Sequence, residues 1–160
     1  MLRIPPMFLM VCGLVTQAFL PTASSDPRIW QWVLAFPVAL TGLVFLFGSS
    51  MRFYRAGASA NPVNVDSPRV FVSGGLYRVT RNPMYLGMSA VLAAHAILRG
   101  PWAWLPAACF VLLIDRLQIP VEEAVLRRAF PEEYAEYASR VPRWLGPVRS
   151  KGFVKGCACR

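Results

Sequence analysis

The chain has 160 residues, room for one domain, and 56% of them are hydrophobic with a mean hydropathy of +0.44. Apolar residues at that density, gathered in long blocks, exclude an ordinary water-soluble domain. The formal net charge of +9 raises nucleic acid as a partner, and the placement of the cations argues against it.

Four apolar blocks predict four spans, at about 4–20, 29–47, 83–98 and 102–119. A span needs roughly 17–25 residues, so the third and fourth are short. Of the 17 Lys and Arg, only Arg28 and Arg99 fall in the loops after spans one and three. The others lie at the N-terminus, between spans two and three, at the very end of span four (Arg116), or after it. That is the positive-inside pattern with both termini cytoplasmic. The expected localisation is an integral membrane, the inner or cytoplasmic one if the source is bacterial. The basic excess then serves orientation and contact with anionic membrane lipids.

Residues 1–20 share features with a signal sequence: Arg3, an apolar run from Met7, then Ala23-Ser24-Ser25. Cleavage would remove the first span and spoil the charge pattern, and no Ala-x-Ala follows, so the reading is a retained span. Pro21 to Asp26 is a polar turn. Span two opens on Trp30 and Trp32, as an aromatic belt does.

From Gly48 to Arg81 the chain is polar, broken by Gly57, Pro62, Pro68 and the Gly74-Gly75 pair. A loop this long in so small a chain is expected to serve a site. The apolar island Val70-Phe71-Val72 is too short for a core and is expected to pack against a span end or a ligand. Asn82-Pro83 signals a helix start, Asn as N-cap and Pro at the first helical position. With Arg78 and Arg81 just before it, this helix mouth is suited to an anionic group. The same two arginines also suit positive-inside anchoring.

His95 lies deep in span three, where an ionisable group is a functional candidate; the preferred reading is a neutral imidazole bonded to a backbone carbonyl. Arg99-Gly100-Pro101 predicts a tight turn, and Trp102 and Trp104 mark its outer interface. Span four ends in Asp115-Arg116, a pair that neutralises itself or an arginine that snorkels to the headgroups.

Two short amphipathic helices are expected next, over 121–130 and 131–140. In the first, Glu122-Glu123 occupy the first turn and Arg127-Arg128 the last. Glu123 to Arg127 is also an i,i+4 pair. Facing a bound cation is the functional alternative for these two glutamates. Tyr77, Tyr85, Tyr134 and Tyr137 either wall a pocket or form a belt.

The 147–160 tail is basic and expected to be disordered, which leaves 1–146 as a single membrane domain. Cys12 and Cys109 are apolar residues within spans. Cys157 and Cys159 make a C-x-C that is neither a zinc nor a redox spacing, and the last four residues lack the aliphatic pair of a prenylation signal. With one histidine in the chain, a histidine-based metal cluster is excluded and no metal is expected.

The segment Gly75-Leu76-Tyr77-Arg78 through Arg81-Asn82-Pro83-Met84-Tyr85-Leu86-Gly87 resembles the G-x-Y-x-x-x-R-H-P-x-Y-x-G signature of the isoprenylcysteine carboxyl methyltransferase family. Glu122-Glu123-x-x-Leu126, then Phe130-Pro131-Glu132-Glu133-Tyr134 with Glu136-Tyr137, resembles its second signature. Arg140-Val141-Pro142-Arg143-Trp144-Leu145 fits its close. The resemblance covers roughly residues 60–146. Phospholipid N-methyltransferases and small-thiol methyltransferases share the plan.

The resemblance implies an all-α integral membrane enzyme using S-adenosylmethionine, with about four transmembrane helices and two short C-terminal amphipathic helices. Its acceptor would be lipid-like or small and hydrophobic, methylated on a carboxylate, thiol or amine. Cofactor contacts carried onto this chain are Arg69, Val70, Phe71, Val72, Tyr77, Asn82, Pro83, Met84, Tyr85 and Glu122, with Arg78 or Arg81 on the methionyl carboxylate. Arg116 and Glu123 fall on the substrate side. Two positions depart from the pattern: Asn82 stands where the family has His, and Pro131 where it has Gly. Asn82 still donates a hydrogen bond but cannot titrate. The alternatives are a non-enzymatic scaffold or lipid-binding protein of the same fold, and a membrane reductase of the sterol-reductase plan.

Overall fold

The structure is a computed structural model and describes residues 5–22, 26–55 and 71–146. Arg69, Val70, Cys157 and Cys159, and with them the expected tail, lie outside the described residues. The described elements are all helical: α1 (Pro6–Phe19), α2 (Ile29–Arg55), a 3₁₀ turn (Gly75–Arg78), α3 (Pro83–Arg99), a 3₁₀ turn (Pro101–Ala103), α4 (Trp104–Leu113), a π turn (Ile114–Gln118), α5 (Ile119–Ala129) and α6 (Pro131–Arg140). Among the described residues, two runs are long and apolar enough to cross a membrane, Ile29–Arg52 and Pro101–Ala129; α1 is a shorter apolar helix.

Two boundaries differ from expectation, each for a local reason. Helix α2 continues past Phe47 to Arg55. The serines that read as a polar ending are satisfied within the helix: Ser49 Oγ donates to Phe45 O at 2.5 Å and Ser50 Oγ to Leu46 O at 2.8 Å. A separate helix was expected over 121–130, yet the helical chain runs on from Trp104 to Ala129 through Pro120. The π turn just before it bonds the Ile119 N–H to Ile114 O, and this wider turn absorbs a proline that would break a regular α-helix. The break falls at Phe130, after which Pro131 opens α6.

Helix α3 is the central rod, in contact with α1, α2 and α4. Met88 and Leu92 of α3 meet Met10 of α1, Leu46 of α2 and Phe110 of α4, and the core continues through Ile114 and Ile119. The α2–α3 crossing is close because Gly42 and Gly87 face each other. A Cβ added at Gly87 would lie 2.7 Å from Gly42 O and 2.8 Å from Leu46 N. Van der Waals contact of backbone on backbone is the usual basis of such small-residue crossings between apolar helices.

One end of this bundle is tied by polar side chains. Gln17 of α1, fully buried, donates from Nε2 to Leu92 O at 3.1 Å and Ala103 O at 2.7 Å. Its Oε1 lies 2.9 Å from His95 Nδ1, so the histidine partner is a side-chain amide and not the backbone carbonyl expected. Arg99 caps the end of α1 through Gln17 O at 3.2 Å, Leu20 O at 3.1 Å and Ala18 O. Gln31 of α2 donates to Ile97 O at 2.7 Å. Most of these bonds satisfy carbonyls at helix ends, which have few other partners in an apolar setting, while Leu92 O lies in the middle of α3.

Candidate active site

The other end of α3 carries the expected site. Gly75 has φ +66, a conformation open to glycine, and it turns the chain into the short 3₁₀ helix that buries Tyr77. The Arg52 guanidinium of α2 lies over Gly74 and Gly75, close enough that a Cβ on Gly74 would meet Arg52 Nη2 at 2.2 Å. Pro83 occupies the first turn of α3 as expected, but Asn82 makes no side-chain cap.

The Asn82 side chain does something else. Residues 141–146 return across the start of α3, and Asn82 Nδ2 donates to Arg143 O at 3.0 Å. Thr80 Oγ1 donates to the same carbonyl at 2.9 Å, and the Arg81 N–H donates to Pro142 O at 2.9 Å. The donor-rich helix mouth therefore receives two carbonyls of the chain's own closing segment.

That segment is fastened by charge. Glu123 is 7% exposed in its side chain and pairs with three arginines: Arg81 Nη1 at 3.0 Å, Arg143 Nη2 at 2.9 Å and Arg127 Nη2 at 3.4 Å. Arg143 also reaches Asp115 Oδ1 at 3.4 Å, and the Trp144 indole N–H donates to the same oxygen at 2.8 Å. Hydrogen bonds from Arg143 to Glu123, with the Asp115 charge alongside, hold the guanidinium's pKa above its ordinary value. Arg81 Nη1 further donates to the Tyr134 hydroxyl at 3.2 Å, while its Nε is buried without a hydrogen-bond partner among the described residues.

Glu122 points elsewhere. Its Oε1 accepts from the Tyr85 hydroxyl at 2.5 Å and from Gln118 Nε2 at 3.0 Å. Both donors converge on this one carboxylate oxygen. Tyr77 lies near enough to feel the Glu122 charge, although burial is the chief cause of its raised pKa, followed by the proximity of Tyr137. Tyr85, Tyr77, Gln118 and Glu122 thus form one group at the start of α3, closed by the rod that bears the glutamates.

Aromatic packing completes the wall. Phe71 stacks edge-on to Tyr137, ring centroids 5.3 Å apart, and contacts Tyr134 at 6.2 Å and Phe130 at 5.6 Å. Phe71, the central residue of the expected apolar island, therefore packs on α6 and its lead-in residue. The Tyr137 hydroxyl donates to Tyr77 O at 2.7 Å, which ties α6 to the 3₁₀ turn.

Of the other expected contacts, Pro83 is buried, Val72 and Met84 are half-buried, and Arg78 is exposed at the end of the 3₁₀ turn. Arg116 leaves the group: its side chain is 78% exposed and reaches back to Asp115, at 3.7 Å. Sequence reasoning missed Gln118, Thr80 and Gln17. Their one available signal was a polar side chain within or beside an apolar segment.

The apolar helical fold thus draws a carboxylate and two tyrosines together at the start of its central rod. The profile of the phospholipid methyltransferase family matches residues 30–133, and the chain belongs to that family. An uncharacterized protein of Haemophilus influenzae is 40% identical over 63 residues, 39% of this chain and all of that protein. No solved structure matches the chain.

Proposed function

We propose that the protein transfers a methyl group from S-adenosylmethionine to a lipid-like or small hydrophobic acceptor, on the plan of the isoprenylcysteine carboxyl methyltransferases. The observation that supports this reading is the Tyr85–Glu122 hydrogen bond of 2.5 Å, which joins the two signature segments in one place.

The donor set fits the cofactor. A carboxylate fixed by a phenol and an amide suits a sulfonium, and the buried, unpartnered Arg81 Nε offers a donor to the methionyl carboxylate. The cofactor supplies a methyl group activated by the positive sulfur. The chain supplies a negative carboxylate at Glu122, a phenol at Tyr85 that holds it still, and a surrounding of Tyr77 and Phe71 that limits water. Displacement at a sulfonium needs alignment and electrostatic matching, and a carboxylate or thiolate acceptor needs no general base. The acceptor enters sideways from the bilayer. Arg116, exposed within the π turn, would meet an anionic acceptor or headgroup, and Glu123 acts on the site through the arginines it holds.

Calorimetry on the purified protein tests the reading. Glu122→Ala is expected to weaken S-adenosylmethionine binding at least about tenfold, equivalent to roughly 1.4 kcal/mol. Unchanged binding removes Glu122 from the site. Photo-crosslinking with labelled cofactor separates enzyme from scaffold, since a folded protein that takes no label is not a methyltransferase of this kind. Incubation with methyl-labelled cofactor and a lipid extract, followed by mass spectrometry, identifies the acceptor.

A further inference from the structure

We infer that Gln118, the last residue of the π turn, is a positioning residue that selects for a positively charged cofactor by fixing the Glu122 carboxylate. The inference rests on the cofactor reading above and deepens it.

Three observations carry it. Gln118 Nε2 donates to Glu122 Oε1 at 3.0 Å, the same oxygen that receives the Tyr85 hydroxyl. Two donors from two different helices on one oxygen fix the rotamer of the carboxylate. The second observation is the turn itself. The π turn spans Ile114–Gln118 in an otherwise α-helical rod, and π turns in such rods often mark functional sites. The extra width of that turn lets Pro120 be carried without a break, so Gln118 stays one helical turn before Glu122 and on the same side of the rod. The third is division of labour: Asp115, at the other end of the π turn, binds Arg143 and Trp144 of the closing segment. One wide turn thus sends an acid to the strap and an amide to the site.

An ionised carboxylate held in place favours a sulfonium over its neutral thioether product. Loss of Gln118 is therefore expected to act on charge recognition and not on binding of the adenosyl moiety as such. The test is calorimetry with the full chain in detergent, comparing S-adenosylmethionine with S-adenosylhomocysteine. Gln118→Met keeps the volume and removes the donor. It is expected to weaken S-adenosylmethionine about fivefold to tenfold while shifting S-adenosylhomocysteine less than about twofold. Gln118→Asn, which keeps the amide but shortens its reach by one methylene, is expected to show the same charge-selective loss. It serves as the second variant should Gln118→Met melt out early. Equal losses for the two ligands in these variants, or no loss in them when the wild-type protein binds both ligands, overturn the positioning role and leave the cofactor reading intact. A wild-type protein that binds neither ligand overturns both.

Discussion

Glu122 and Glu123 are neighbours in the chain and stand about 100° apart around the helix, which gives them unrelated partners. Glu122 faces Tyr85 and Gln118; Glu123 faces Arg81, Arg127 and Arg143. Removing Glu123 leaves Arg81 and Arg143 beside each other without their common anion. Glu123→Gln is therefore expected to destabilise the fold by about 3–5 kcal/mol, the range found when one partner of a buried ion pair is deleted. Arg127→Ala removes an i,i+4 partner that is 63% exposed and is expected to cost only about 0.3–0.5 kcal/mol. Chemical unfolding in detergent reads both, and near-equal losses would mean that the burial of Glu123 does not set its worth. The sequence named both glutamates and offered the i,i+4 pair with Arg127. It could not sort the two, because Arg143 is 20 residues away and reaches Glu123 only after the closing segment folds back. Asn82 is a similar case: an N-cap by local rule, it is taken by a carbonyl 61 residues on.

At the scale of elements, the start of α3 and the tight turn after Arg99 were legible, because proline and glycine act locally. The passage of the rod through Pro120 was not, since a π turn leaves no mark in composition. The α2–α3 crossing rests on Gly87, the last residue of the first signature. Its neighbours at Cβ distance are backbone atoms of Gly42 and Leu46, which cannot swing aside. Gly87→Val is expected to destabilise by about 1–3 kcal/mol or to part the two helices. Gly74→Ala is the contrasting case. There φ is −100, and the nearest atom is the end of the flexible Arg52 side chain, so the change is expected to stay within about 0.5 kcal/mol. Thermal melting of both variants checks the pair, and a Gly87 variant as stable as the Gly74 one would deny the close crossing.

The whole molecule is an apolar rod assembly tied at each end by polar groups, amides and Arg99 at one, arginines and phenols at the other. The phenol end makes stability depend on alkaline pH. Burial is the leading cause that holds Tyr77, Tyr137 and Tyr134 above the ordinary phenol value of 10.0. The neutral phenols are thus the form the fold accepts, and their contribution is fully present below pH 10. In the unfolded chain the same groups ionise near 10, so the unfolded state binds fewer protons than the native one as the pH rises past that point. Stability is then lost progressively from about pH 10 upward, towards the raised values of the folded state, with little change between pH 7 and 9 from these groups. Melting temperature measured in detergent across this range is expected to be flat and then to fall. Tyr137→Phe removes one of the three protons involved and should make the fall shallower, although the lost bond to Tyr77 O costs about 1 kcal/mol at every pH. A slope unaltered by that substitution would place the Tyr137 hydroxyl in water and would detach α6 from the 3₁₀ turn that begins the site.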